Sequence, residues 1–167
     1  GTYVTQGETY LGNDDIVWWA KGVILHGKSP DRIAFLRKIV EETGYLEMVD
    51  KWKNHQAAKT DNFTYIIFYL GKEIKREWTF GLPCRTNGAI PDGYKFKAEI
   101  IDTWNMTITP VEDIFITDKR EAYVSGDKDN KKIVLPEKPY MAIRLKRIID
   151  EDTQIYIQAD VKHYNEN

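Results

Sequence analysis

The sequence predicts a mainly β protein, an antiparallel β-sandwich preceded by a short strand–loop–helix segment. Three observations point there. Beyond residue 61, seven or eight short apolar runs alternate with turn residues about every ten positions, as in a sandwich. Ten Tyr and five Trp in 167 residues suit strands better than a helix bundle. Finally, the stretch YKFKAEIIDTWNMTITP at residues 94–110 alternates with a period of two, apolar on one side and mostly polar on the other.

That stretch organises the rest of the chain. Tyr94, Phe96, Ala98, Ile100, Trp104, Met106 and Ile108 fall on its apolar side, and Asp102 interrupts them. A straight strand of this length would reach about 50 Å, well beyond the usual five to ten residues. A bulge or bend is therefore expected at residues 101–103, with Asp102 hydrogen-bonded to nearby backbone. No second carboxylate or His is placed to work with Asp102, so it reads as structural rather than catalytic. Trp104 is expected to anchor the core beside Phe96, Ile100 and Met106.

In chain order, Gly1-Thr2-Tyr3-Val4 starts as a strand and leads into a polar loop, Gln6-Gly7-Glu8-Thr9-Tyr10. A turn at residues 12–15 precedes Ile16-Val17-Trp18-Trp19. Strand, polar loop and aromatic pair suggest the last βα connection of a larger fold. Ser29-Pro30-Asp31 is a helix start: Ser29 can cap, Pro30 suits the first turn, and Asp31 favours the positive end of the dipole. Ile33, Phe35, Leu36, Ile39 and Val40 make a broad apolar stripe, and Gly44 can take the left-handed position after the end. A helix over residues 30–43 follows, and its stripe is expected to dock on the sandwich with Trp18 or Trp19 at the contact.

Residues 45–61 read as linker and first strand. FTYIIFYL at residues 63–70 is a buried strand, Gly71-Lys72 a tight turn, and Ile74, Arg76, Trp78, Phe80 and Leu82 alternate on a return strand. Residues 63–82 are thus expected to form a hairpin, and residues 83–92 a loop. A short strand at residues 114–116 follows the central stretch. Tyr123-Val124 and residues 133–135 flank a hairpin loop at residues 126–130. Asp127, Asp129 and Asn130 resemble the opening of a calcium loop, but no Glu closes it, so turn chemistry is expected. Met141, Ile143 and Leu145 alternate with Ala142, Arg144 and Lys146, and a last strand is expected at residues 155–161.

The formal charge is −2, from 24 basic and 26 acidic residues, with no run of one sign to hold nucleic acid. Cys84 is alone, which rules out an internal disulfide and fits a reducing compartment. With no signal peptide and no apolar run of membrane length, the cytoplasm is the expected location. His26 and His55 are isolated, and neither a metal nor a cofactor is expected. Nucleotide fingerprints, HExxH and nucleophile elbows do not occur. Asn62-Phe63-Thr64 and Asn105-Met106-Thr107 match the glycosylation sequon but lie in expected strands, and they are discounted.

GTYVTQGETY, DDIVWWAKG and HGKSPDRIAFLRKIVEE, joined to IDTWNMTI and PYMAIRLKRI, resemble the C-terminal end of bacterial apiosidase-like glycoside hydrolases. In that family a (β/α)8 barrel is followed by a β-sandwich of unknown function. The resemblance implies that residues 1–44 are the barrel's last strand, loop and helix, and that residues 45–167 are the accessory sandwich. It also implies that the catalytic carboxylates lie on earlier strands, so none is assigned here. Glu8, Tyr10, Trp18 and Trp19 would sit near the rim of the parent's sugar cleft, where they could hydrogen-bond or stack on a sugar. The expected function is a non-catalytic domain that packs against the barrel, its principal partner, with a homodimer through the helix if apolar surface stays open. The alternative is a carbohydrate-binding module, with Tyr65, Tyr69, Trp78, Tyr94 and Tyr123 as candidate platform residues.

Overall fold

The computed structural model describes residues 28–49, 57–83, 90–121 and 124–149. Among these residues one helix, α1 (Ser29–Thr43), precedes ten strands: β1 (Glu47–Met48), β2 (Ala57–Lys59), β3 (Tyr65–Tyr69), β4 (Glu77–Thr79), β5 (Gly81–Pro83), β6 (Lys95–Asp102), β7 (Thr107–Glu121), β8 (Val124–Asp127), β9 (Lys132–Val134) and β10 (Met141–Arg147). Eight strands form one sheet in the order β1-β2-β3-β10-β6-β7-β8-β5, and β4 and β9 form a separate two-stranded ribbon. Every pairing is antiparallel. The fold is mainly β, a strongly curled antiparallel sheet in the manner of a sandwich or half-barrel, preceded by a helix.

The core lies between the inner face of the sheet and the β4–β9 ribbon. Phe68 from β3 meets Trp78 from β4 at a ring separation of 4.9 Å, and Phe80 lies 6.3 Å from Phe96 of β6. Ile66, Phe96, Phe115, Ile133, Ile143 and Leu145 are fully buried around them. Offset aromatic contacts of this kind add to the area term of burial.

β10 sits between β3 and β6, and six of its seven residues are buried. Met141, Ile143 and Leu145 face the core, while Ala142 packs on the outer side with Ile39 of α1 and Ile101 of β6. Around Ala142 and Ile101 the outer face is therefore covered, and α1 is what covers it. The helix turns Phe35, Ile39 and Thr43 to the sheet, leaving Leu36 and Val40 about half exposed. Gly44 ends it at φ +79, a conformation costly for any residue with a Cβ, and donates to the Val40 carbonyl at 2.9 Å.

Several local expectations change. Lys28, not Ser29, takes the cap position, and Ser29 becomes the first helical residue. Residues 63–82 do not make a hairpin. After Gly71 the chain leaves the sheet, so β3 pairs with β2 and β10, whereas β4 pairs with β9 and β5 with β8. The inward alternation of Trp78, Phe80 and Leu82 holds: all three are buried in the core, Trp78 from the β4–β9 ribbon and Leu82 from β5 at the far end of the curled sheet. The bend expected at residues 101–103 is a full reversal between β6 and β7. The bulge lies further along, where Lys97 pairs with Ile114 and Ala98 with Val111, so that Glu112 and Asp113 are extra in β7. The short strand at 114–116 belongs to that long β7.

Asp127 closes the loop after β8. Its carboxylate accepts from the backbone N–H groups of Ile116, Asp129 and Lys131 at 2.8, 3.1 and 2.9 Å, as turn chemistry requires. Both sequon asparagines lie outside strands: Asn62 accepts from Thr64 Oγ1 at 2.6 Å, and Asn105 donates to Asp102 at 2.7 Å.

Candidate functional site

The most elaborate polar construction among the described residues is the seam between α1 and the outer face of the sheet. Arg144 stands on β10, between Ile67 of β3 and Glu99 of β6. Its side chain is only 7% exposed, yet it donates to Glu99 at 2.7 Å and to Glu42 of α1 at 2.9 Å. Burial lowers the tendency of this guanidinium to stay charged, but the bonds to both carboxylates outweigh that and raise its pKa. The bond from Arg144 in turn lowers the Glu42 carboxyl. A depressed carboxyl contributes stability above its unfolded value, and that contribution is lost as pH falls through the folded one. Acid therefore loosens the seam. A buried charge is costly unless paired, so losing Glu42 would leave Arg144 with Glu99 as its one carboxylate partner.

A second tie stands at the N-terminal half of the helix. The Arg32 guanidinium lies 3.6 Å from the centre of the Trp104 ring, and its Nε donates to the Trp104 carbonyl at 3.3 Å. Trp104 stacks in turn on Tyr140 at 5.6 Å, with the planes 24° apart. Tyr140 is held at φ 63, an unusual backbone state for a bulky residue. Its N–H donates to the Gly71 carbonyl at 2.6 Å, and its own carbonyl accepts from Thr103 Oγ1 at 2.6 Å. Strain of this kind persists only where the surroundings over-determine it.

The motif IDTWNM gains a physical account here. Ile101 faces α1 and Asp102 closes the β6–β7 turn by accepting from the N–H groups of Trp104 and Asn105 at 3.0 and 2.8 Å. Burial would raise the Asp102 carboxyl, but bonds from Asn105 and Trp104, with the charge of Lys138, lower it. Met106 takes φ 59 as the chain enters β7. Asp102 behaves as expected, whereas Trp104 does not. It sits at the tip of the turn, 53% exposed, rather than in the core. Trp104→Ala should therefore cost about 1–2 kcal/mol, the sum of one exposed cation–π contact and one ring stack, rather than the larger loss of a core anchor. Urea denaturation of the variant measures it.

Between α1 and the sheet runs an apolar cleft of about 500 Å³, lined by Phe35, Leu36, Val40, Leu46, Tyr69 and Ile101 among others. Glu8, Tyr10, Trp18 and Trp19 lie outside the described residues, as do Cys84, His26, His55, Tyr123 and the last strand expected at 155–161. Of the platform candidates, Trp78 is buried in the core, and Tyr94 is covered by the Arg147 guanidinium at 3.5 Å. Tyr65 and Tyr69 share the outer face of β3, and Tyr69 borders the cleft. Arg144, Glu99, Glu42, Arg32 and Tyr140 were not singled out by the sequence. The available signal was an arginine in the middle of a strand whose neighbours are otherwise apolar.

A family model described as a domain of unknown function, DUF5605, matches residues 52–146, more than half of the chain. This chain belongs to the DUF5605 family. The match begins after α1, so the helix packs on a DUF5605 sheet without being part of the matched region. Among solved structures, the DUF5605 chain is similar to one from Bacteroides vulgatus ATCC 8482 described as a "putative glycoside hydrolase". The TM-score is 0.76 at 34% identity, and the match covers 89% of this chain. It spans only 29% of that protein's length. No curated protein matches the chain.

Proposed function

We propose that this chain is a non-catalytic C-terminal part of a glycoside-hydrolase-like protein, in which the DUF5605 sheet grips the last helix of a catalytic (β/α)8 barrel. The observation that carries this is the buried Arg144, which ties α1 to two strands at once. Similarity to less than a third of a longer glycoside-hydrolase-like protein supports it. On this reading α1 belongs to the barrel and the sheet is its support, with the barrel as partner. The half-exposed Leu36 and Val40, which border the cleft between α1 and the sheet, are the surface offered to that barrel. Residues 1–44 are then the end of the barrel and residues 45–167 the accessory domain, and Glu8, Tyr10, Trp18 and Trp19 approach the parent's sugar cleft.

Glycoside hydrolysis needs two carboxyl groups at a defined separation across the scissile bond. The purified chain is expected to release no product from aryl glycosides or plant polysaccharides. Turnover that co-purifies with the chain and disappears in Glu8→Gln would overturn the non-catalytic assignment.

A further inference from the structure

The inner face of the sheet is apolar along most of its length but changes character at one end. Antiparallel pairing places Asp102 opposite Thr107 and Ile100 opposite Thr109, with Met141 on the other side of Asp102. Directly paired residues share a face. The hydroxyls of Thr107 and Thr109 and the Asp102 carboxylate are thus on the core side, beside Ile100 and Met141. β9 and the segment after it do not close over them. Instead Val134, Leu135, Pro136 and Lys138 form the far wall of an open cleft of about 440 Å³ at the mouth between the two layers. That is within the roughly 300–1,000 Å³ of small-molecule sites, which favour such mouths.

Thr107 and Thr109 are exposed strand positions that threonine suits, and on this face they leave the cleft open rather than filled. The residues offer a balanced set of hydrogen-bonding groups. Asp102 Oδ1 is occupied by the two backbone bonds of the turn, whereas Oδ2 takes one bond, from Asn105 Nδ2 at 2.7 Å, and keeps acceptor capacity. Lys138 is near enough for its charge to act on that carboxylate, and it can donate. Each threonine can donate and accept. Ile100 and Met141 supply an apolar floor. One cation and one anion leave the cleft close to neutral, which disfavours strongly charged ligands, and the floor suits C–H surface. We infer that this cleft binds a small neutral polyhydroxylated ligand, the end residue of a saccharide, through Asp102, Thr107, Thr109 and Lys138. The site lies on the face opposite the α1 seam and does not depend on it. Among the described residues no aromatic ring lines the cleft, so affinity on the order of millimolar is expected and recognition comes from the hydroxyls.

The test is an amide-resolved NMR titration of the full chain with D-glucose, D-galactose, D-xylose and L-arabinose, with glucuronate and sulfate as charged controls. At least one neutral sugar should shift the amides of Thr107, Thr109, Lys138 and Met141 in a saturable way. Thr109→Val and Lys138→Ala, both at exposed positions, should each weaken that sugar about fivefold to tenfold, the loss of one or two hydrogen bonds, with the melting temperature unchanged. Absence of saturable shifts at the cleft for all four sugars would overturn the inference. So would binding of only the charged controls, or sugar binding that both variants leave intact. Any of these results leaves the α1 seam and the hydrolysis assay untouched.

Discussion

Phe96→Ala is expected to lower the free energy of unfolding by about 3–5 kcal/mol, the range for removing a buried ring from a close-packed core. Phe96 has no exposed surface, is paired with Phe115 on one side and Arg147 on the other, and lies 6.3 Å from the Phe80 ring. The cavity cannot collapse, because β6 is hydrogen-bonded to β10 and β7 on both edges and the facing layer supplies Phe80. The urea midpoint should fall with little change in slope. Val134→Ala, at a residue 70% exposed, is the control and should stay within about 0.5 kcal/mol. A loss at Phe96 no larger than this control would mean that the two layers do not meet where the structure places them.

Arg144→Ala should cost about 2–4 kcal/mol, toward the low end of the range for breaking a buried pair by removing one partner. The value is at the low end because Glu99 and Glu42 are both partly exposed and can be rehydrated. Direction is more informative than size. Arg144→Met combined with Glu42→Gln and Glu99→Gln should recover much of the loss, since it leaves no stranded charge. A double-mutant cycle between Arg144 and Glu42 should show coupling across the seam. Additivity in that cycle would show that the helix is not held by this contact.

The helix was legible because its start, stripe and terminal glycine agree. The seam was only half legible, because periodicity marks an apolar stripe without telling which side docks. Phe35, Ile39 and Thr43 do, while Leu36 and Val40 stay half exposed along the cleft beside the contact. Individual strands were legible from alternation, but their partners were not. β4 finds β9 more than fifty residues away, whereas the sequence favoured a local hairpin. Trp104 was misplaced for a definite reason. Asp102 pairs with Thr107, so the face parity flips from even in β6 to odd in β7, and an alternation carried straight through residue 104 assigns the wrong side. The same flip puts Thr107 and Thr109 on the inner face. Arg144 was hidden because alternation on β10 assigns it to solvent, and only the position of α1 buries it.

The claim at the centre is that the sheet grips α1, and native-state hydrogen exchange on the full chain tests it most directly. Amides in the C-terminal half of α1, around Ile39 to Thr43, should exchange nearly as slowly as those of β6 and β10, and should lose that protection together with Arg144. Exchange of these helix amides at the rate of an unstructured peptide, while β6 and β10 remain protected, would contradict it.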